Sequence, residues 1–190
     1  ILTIDPPPDA AIAEARARLI QLGALDEAGR PTAHGRRIAE LPMPPRIAHM
    51  LVEAERLGLL DLASEAAVLL AERGLGGNDA DLDLRLQRWR TERGKRAEAA
   101  RGLATRWARL VSPPACGRGS RGGQDLTAAE RWASGPPPAP SASGRGVGIC
   151  VALAYPDRIS KRRSADGADW ISAGGRGFRL DPLSPLASEA

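Results

Sequence analysis

Two histidines, two cysteines and scattered carboxylates are the residues of this 190-residue chain whose types suit catalysis, and none stands at a catalytic spacing. His34 and His49 have no Ser, Cys or Asp nearby in triad or metal-ligand order, so they read as surface or core-edge histidines. Cys116 and Cys150 lie far apart with no CxxC pattern, which supports neither a zinc site nor a disulfide framework. They read as free thiols in a reducing cytosol. Glu53 with Glu55, and Asp79, Asp81 and Asp83, are better explained as helix faces and helix starts than as a general acid and base. The run Gly144-Arg145-Gly146-Val147-Gly148 has the glycines that let backbone N–H groups approach an anion. No GKS or GKT follows it, and it ends a Gly/Pro-rich stretch instead of joining a strand to a helix, so it reads as linker. No catalytic, metal-binding or cofactor-binding residue is therefore assigned, and the chain alone is expected to be inactive.

Cations are the remaining chemistry. The net charge of +4 and isoelectric point near 9.8 suit a polyanionic partner without requiring one. Nearly all of the charge is Arg, with Lys only at Lys95 and Lys161, as a GC-rich coding sequence would also give. Three groups stand out: Arg36 with Arg37, Arg46, and Arg158 with Lys161, Arg162 and Arg163. A guanidinium holds its charge and donates in a two-pronged fork, which matches a phosphate. These seven residues are the candidate nucleic-acid contacts, set against the plainer reading of solvated helix faces. The Arg-Gly run Gly117 to Gly123 fits either a flexible RNA-binding segment or a linker.

The elements that would position these side chains are mostly helical. The composition is 43% hydrophobic with only 3% aromatic, rich in Ala and Leu, which favours small bundles over a sandwich built on large rings. After Pro6-Pro7-Pro8, Asp9 can cap a helix with Ile12, Ala15, Leu19 and Leu22 at helical spacing and Gly23 to stop it. A turn over Ala24 to Arg30 leads to Thr32, placed to cap a second helix toward Leu41. Ile47, Met50, Leu51, Ala54 and Leu57 form a stripe ending at Gly58, and Asp61 can cap a nearly all-apolar helix through Leu70. Leu82, Leu86 and Trp89, then Ala100, Leu103, Ala104, Trp107 and Leu110, continue the period, so four helices can share one core. From Ser112 to Arg145 the sequence is a Gly/Pro/Arg-rich connection with one short helical stretch, Leu126 to Trp132. Packing resumes at Val147, and Trp170-Ile171-Ser172 and Gly177-Phe178-Arg179-Leu180 flank a glycine turn and can pair as strands. No apolar run reaches the ~18 residues of a membrane span, and the start is no signal peptide. The chain opens without Met, in patterned sequence, and reads as a segment of something longer.

Several of these runs carry a resemblance. Leu19-Ile20-Gln21-Leu22-Gly23-Ala24-Leu25-Asp26, then Gly29-Arg30-Pro31-Thr32 and Gly35, then Ile38-Ala39-Glu40-Leu41-Pro42 and Pro45-Arg46-Ile47-Ala48-His49-Met50-Leu51, resemble the helicase-associated region of DEAH-box helicases. Ala152-Leu153-Ala154-Tyr155-Pro156-Asp157-Arg158-Ile159-Ser160-Lys161-Arg162-Arg163 and Ser172 to Gly177 are similar to a segment of HrpB-type ATP-dependent helicases. Pro31 replaces the usual Leu and Ile38 the common Met. The motor domains, with their phosphate loop, DEAH motif and arginine finger, have no counterpart in this sequence.

The resemblance implies a mainly α chain: a winged helix over 5–42, a ratchet-like helical bundle over 43–112, a linker over 113–146, and a truncated start of an OB-like β-domain and HrpB C-terminal segment over 147–190. It implies a cytoplasmic, accessory role in an ATP-dependent helicase, whose ATP and Mg belong to the parent's RecA-like motor domains. Its partners would be single-stranded RNA or DNA and those motor domains, with no membrane. In this reading Leu19, Leu22, Ile47, Leu51, Leu69 and Trp107 are structural. Two other classes compete: a free-standing winged-helix regulator, which leaves the Tyr155 to Arg163 run unexplained, and a protein-interaction module without nucleic-acid contact.

Overall fold

Helical periodicity in the sequence becomes helix wherever a cap or a left-handed glycine bounds it. The structure, a computed structural model, describes residues 7–112, 145–163 and 169–181. Cys116, the Gly117 to Gly123 run, the stretch Leu126 to Trp132 and Gly144 lie outside the described residues. Among the described residues the fold is mainly helical: α1 (Asp9–Gln21), α2 (Ala33–Ala39), α3 (Pro45–Arg56), α4 (Leu60–Ala71), α5 (Leu82–Thr91), α6 (Lys95–Val111) and α7 (Arg145–Ala154). A 3-10 turn at Pro156–Arg158 then leads to strands β1 (Ser160–Arg162), β2 (Asp169–Ser172) and β3 (Gly177–Arg179) in one antiparallel sheet of order β1-β2-β3. The chain divides into two compact units between His49 and Met50, within α3.

In the first unit the stops and caps are local. Gly23 takes φ 66°, which lets Ala24 N–H return to the Leu19 carbonyl at 2.8 Å and closes α1. Thr32 Oγ1 accepts from Gly35 N–H at 2.9 Å to cap α2 and donates to the Gly23 carbonyl at 2.6 Å. Gly35 is required where it stands, since a Cβ there would fall 1.9 Å from the Ala24 carbonyl oxygen. Asp26 closes the turn between α1 and α2 by accepting from Arg30 N–H and Nε at 2.8 and 2.9 Å, and those contacts, led by the backbone one, hold its carboxyl below the usual range. Ala24, Ile38 and Ala48 make a small core with Leu19, Leu41 and Met43 against it. The cap expected at Asp9 is different: Asp9 is the first helical residue, after Pro8, and no side chain caps α1.

The second unit carries the larger core. Val68 and Leu69 of α4, Leu75 of the loop that follows, Leu86 and Trp89 of α5, Ala97, Ala100 and Ala104 of α6 and Val147 of α7 form one buried cluster, with Trp107 packed on its side. The small Ala side chains of α6 let it approach α4 closely, and Trp89 fills the space left. Asp81 caps α5 by accepting from Asp83 and Leu84 N–H, as a helix-start carboxylate should, whereas α4 begins after Leu59 with no side-chain cap and Asp61 lies inside its first turn.

Residues 145–154, whose apolar positions alternate as Val147, Ile149, Val151 and Leu153, are helical. The deciding set is Val147, Cys150 and Ala154, all buried, which recur at three and four residues and leave Ile149 exposed. Arg145 to Gly148 form the first turn of this helix instead of a linker end, and Gly146 sits so near α4 that a Cβ would come 2.8 Å from Leu62 Cδ2.

Candidate nucleic-acid interface

Each unit holds its own set of the expected cations. In the first unit Arg36 is exposed on α2 but turns back, donating from Nη1 to the Pro31 carbonyl at 3.2 Å. Arg37 and Arg46 are half-buried and engaged in other polar contacts. His34 and His49, which no sequence pattern joins, meet with Nε2 2.8 Å from Nδ1 and their rings edge to face. One nitrogen must donate and the other accept, so the contact links α2 to the start of α3 while at least one ring is neutral.

Inside the second unit the arginines of the bundle are largely committed to the fold. Arg85 donates to the Leu69 carbonyl at 3.2 Å and to the Leu75 carbonyl at 3.3 Å, tying the end of α4 and the following loop to α5. Arg101 donates from α6 to the Trp89 and Glu92 carbonyls, both at 3.1 Å, and Arg96 reaches the Arg73 carbonyl. Arg90 pairs with Glu65 and Arg88 with Asp79. These donors satisfy carbonyls at helix ends that would otherwise face water or nothing.

The basic cluster beyond α7 is placed differently. Arg158 stacks its guanidinium over the Tyr155 ring, 4.9 Å from the centroid, at the 3-10 turn. That turn is fastened to the β2–β3 loop, because Ala173 N–H donates to the Ile159 carbonyl at 2.7 Å and Gly174 N–H to the Asp157 carbonyl at 3.0 Å. Lys161 and Arg162 lie on β1, and Arg163 extends the ladder by donating its N–H to the Asp169 carbonyl at 2.8 Å. Lys161, Arg162 and Arg163 are exposed, and their side chains have no ion pair or hydrogen bond among the described residues. Strand alternation sends Arg162 to one face of the sheet and Lys161 with Arg163 to the other.

The register adds residues that were not among the expected contacts. Arg162 stands opposite Trp170, and Trp170 opposite Phe178, so a cation and two aromatic rings share one cross-strand row. In the next row Asp169 stands opposite Arg179, with Nε 3.6 Å from Oδ1. Arg163, Trp170, Phe178 and Arg179, together with Asp169 and Gly177, line a concavity of about 620 Å³. The pairing of 170–172 with 177–180 was legible in the sequence, but the partnership of Phe178 with the basic run depends on the β1–β2 register. Among the described residues from 157 to 181, six cations face three carboxylates, Asp157, Asp169 and Asp181.

Among the described residues no group of His, Cys, Asp or Glu is arranged to hold a metal, and no helix is long and apolar enough to cross a membrane. Cys150 is fully buried on α7, and burial pushes its thiol up to about 11.

Comparison with known proteins bears on what this arrangement belongs to. No family model matches the sequence. A crystal structure of the Escherichia coli DExH-box NTPase HrpB is similar over 96% of this chain, with a TM-score of 0.64 and 25% identity. A crystal structure of the Escherichia coli DEAH/RHA helicase HrpB gives 0.63 and 27% over the same share. The chain is built like part of a helicase. It spans 18% and 19% of the length of those two chains, so the likeness is to a segment and points to an accessory region.

Proposed function

We propose that this chain is a strand-guiding accessory segment of an ATP-dependent nucleic-acid helicase, packing on the motor core and contacting a single strand. The observation that carries the reading is the likeness to HrpB helicase structures across 96% of the chain, at 25% identity or more. In this reading residues 5–42 form a winged helix, 43–112 a ratchet-like bundle, 113–146 a linker, and 147–190 the opening of an OB-like domain with the HrpB C-terminal segment. The 3-10 turn and the three-stranded sheet would belong to that last part, and α7 would dock it to the bundle through Val147 and Cys150.

ATP and Mg would act on the parent's motor domains. This sequence has no GKS or GKT, so no step of hydrolysis is assigned to its residues. What these residues do is electrostatic. Arg158, Lys161, Arg162 and Arg163 hold phosphates, with Arg36, Arg37 and Arg46 as the corresponding set in the first unit. Such contacts are indifferent to base sequence and weaken with salt through counterion release. The site of action would be the cytoplasm.

The test is fluorescence anisotropy of labelled single-stranded and duplex RNA and DNA with the purified 190-residue chain at low and moderate salt. Sequence-tolerant binding to single strands that falls with salt is expected. Tight, sequence-selective duplex binding would replace this reading with a regulator, and no binding to any nucleic acid would leave a protein-interaction module.

A further inference from the structure

We infer that the cross-strand row Arg162–Trp170–Phe178 is a base-stacking platform for an unpaired nucleic-acid strand, with Phe178 as the ring that receives a base; this rests on the strand-guiding reading and deepens it. Phe178 is the only phenylalanine of the chain, and it is 44% exposed on β3 instead of buried in either core. A large apolar ring left on the surface loses the stabilisation that burial would give, unless a ligand covers it. Its row neighbours are Trp170 on β2 and, beyond that, Arg162 on β1.

The surroundings decide the chemistry of the occupant. Phe178 and Trp170 border the concavity of about 620 Å³, whose lining also includes Arg163, Asp169 and Arg179, and exposed Arg162 shares the row and sheet face of the two rings, so apolar ring surface and a guanidinium lie side by side. An apolar peptide segment would match the rings and leave the Arg162 guanidinium to be desolvated without a partner. A nucleic-acid strand matches both, since every base offers a π face and every linkage a phosphate. Duplex bases are already stacked on one another, so the platform selects unpaired strands.

Charge alone and stacking separate cleanly with an abasic probe, which keeps the phosphates and removes the bases. Labelled homopyrimidine RNA and DNA strands and abasic strands of equal length are titrated with the 190-residue chain, its Phe178→Leu variant and its Phe178→Tyr variant. The base-bearing strands are expected to bind about 5- to 10-fold more tightly than the abasic ones, the lower part of the range that one stacked base gives. Phe178→Leu should abolish that preference while leaving abasic affinity unchanged, and Phe178→Tyr should retain it. An unaltered circular dichroism melt keeps a folding defect from imitating the loss.

Equal affinity for base-bearing and abasic strands, or a preference that survives Phe178→Leu, overturns the platform while the strand-guiding reading stands. Absence of binding to every strand overturns both, and binding of an apolar peptide at this row in its place assigns the surface to a protein partner.

Discussion

The bundle and the small sheet use the same side chain for opposite purposes. Arg85, Arg96 and Arg101 turn inward and donate to main-chain carbonyls at helix ends and loops, whereas Lys161, Arg162 and Arg163 extend from β1 with no such partner among the described residues. The difference follows from the elements. Helices in a bundle end in unpaired carbonyls, and a long guanidinium on a neighbouring helix can satisfy several at once. Three-stranded antiparallel pairing leaves few inner carbonyls open, and apart from the Arg179–Asp169 pair the sheet offers these cations no carboxylate among the described residues, so Lys161, Arg162 and Arg163 are left to solvent or a ligand. Counting arginines in the sequence therefore says little about binding. What matters is which of them the fold has already occupied.

Breaking the inward set should cost stability. Arg85→Met removes three hydrogen bonds of 3.2 to 3.3 Å to two carbonyls while keeping most of the unbranched apolar stem. The Leu69 carbonyl at the end of α4 then loses this donor, and a loss of about 1.5–3 kcal/mol is expected, as for bonds that involve a charged group. Chemical denaturation followed by circular dichroism reads it. A change below about 0.5 kcal/mol would show that this arginine is as idle as a surface one.

These inward hydrogen bonds were the least legible part of the chain. Thr32, Gly23 and Gly58 could be placed from sequence because a cap or a left-handed stop is decided within a few residues. Arg85 reaches a carbonyl 16 residues back and Arg101 one 12 residues back, distances over which no local pattern speaks. The run from Val147 is a related case. Its alternating apolar residues fit a strand as well as a helix, and only packing against Leu62 and the rest of the α4 surface selects the helix. For the interface, the basic run was visible directly, and the two strands after it were visible as a pair. The row that joins Arg162 to Phe178 was not, because a one-residue slip of β1 would have sent Arg162 to the other face.

Cys150 sharpens the comparison by a smaller effect. It sits where α7 meets the bundle, and its thiol is raised from 9.0 to about 11 because the thiolate is poorly solvated there. The folded state thus holds the proton more tightly than the unfolded chain. The associated stability is complete below pH about 9 and is lost as pH rises through about 11. Stability of the wild type should therefore fall by about 2 kcal/mol more than that of Cys150→Ala across that window, measured by denaturant titration at each pH. Parallel pH profiles for the two proteins would mean that burial does not raise the Cys150 thiol.

The division of labour between the two regions is tested most directly by salt titration of single-stranded RNA binding for three proteins: the wild type, Arg158→Ala/Lys161→Ala/Arg162→Ala/Arg163→Ala, and Arg101→Ala. The slope of log affinity against log salt should become shallower by about 2 to 3 in the sheet variant, close to 0.7 for each phosphate that is no longer neutralised. Its denaturation midpoint should stay near the wild-type value. Arg101→Ala should show the reverse, an unchanged slope with lower stability. An unchanged slope in the sheet variant, or a shallower one in Arg101→Ala at full folding, would contradict the assignment of strand binding to the sheet.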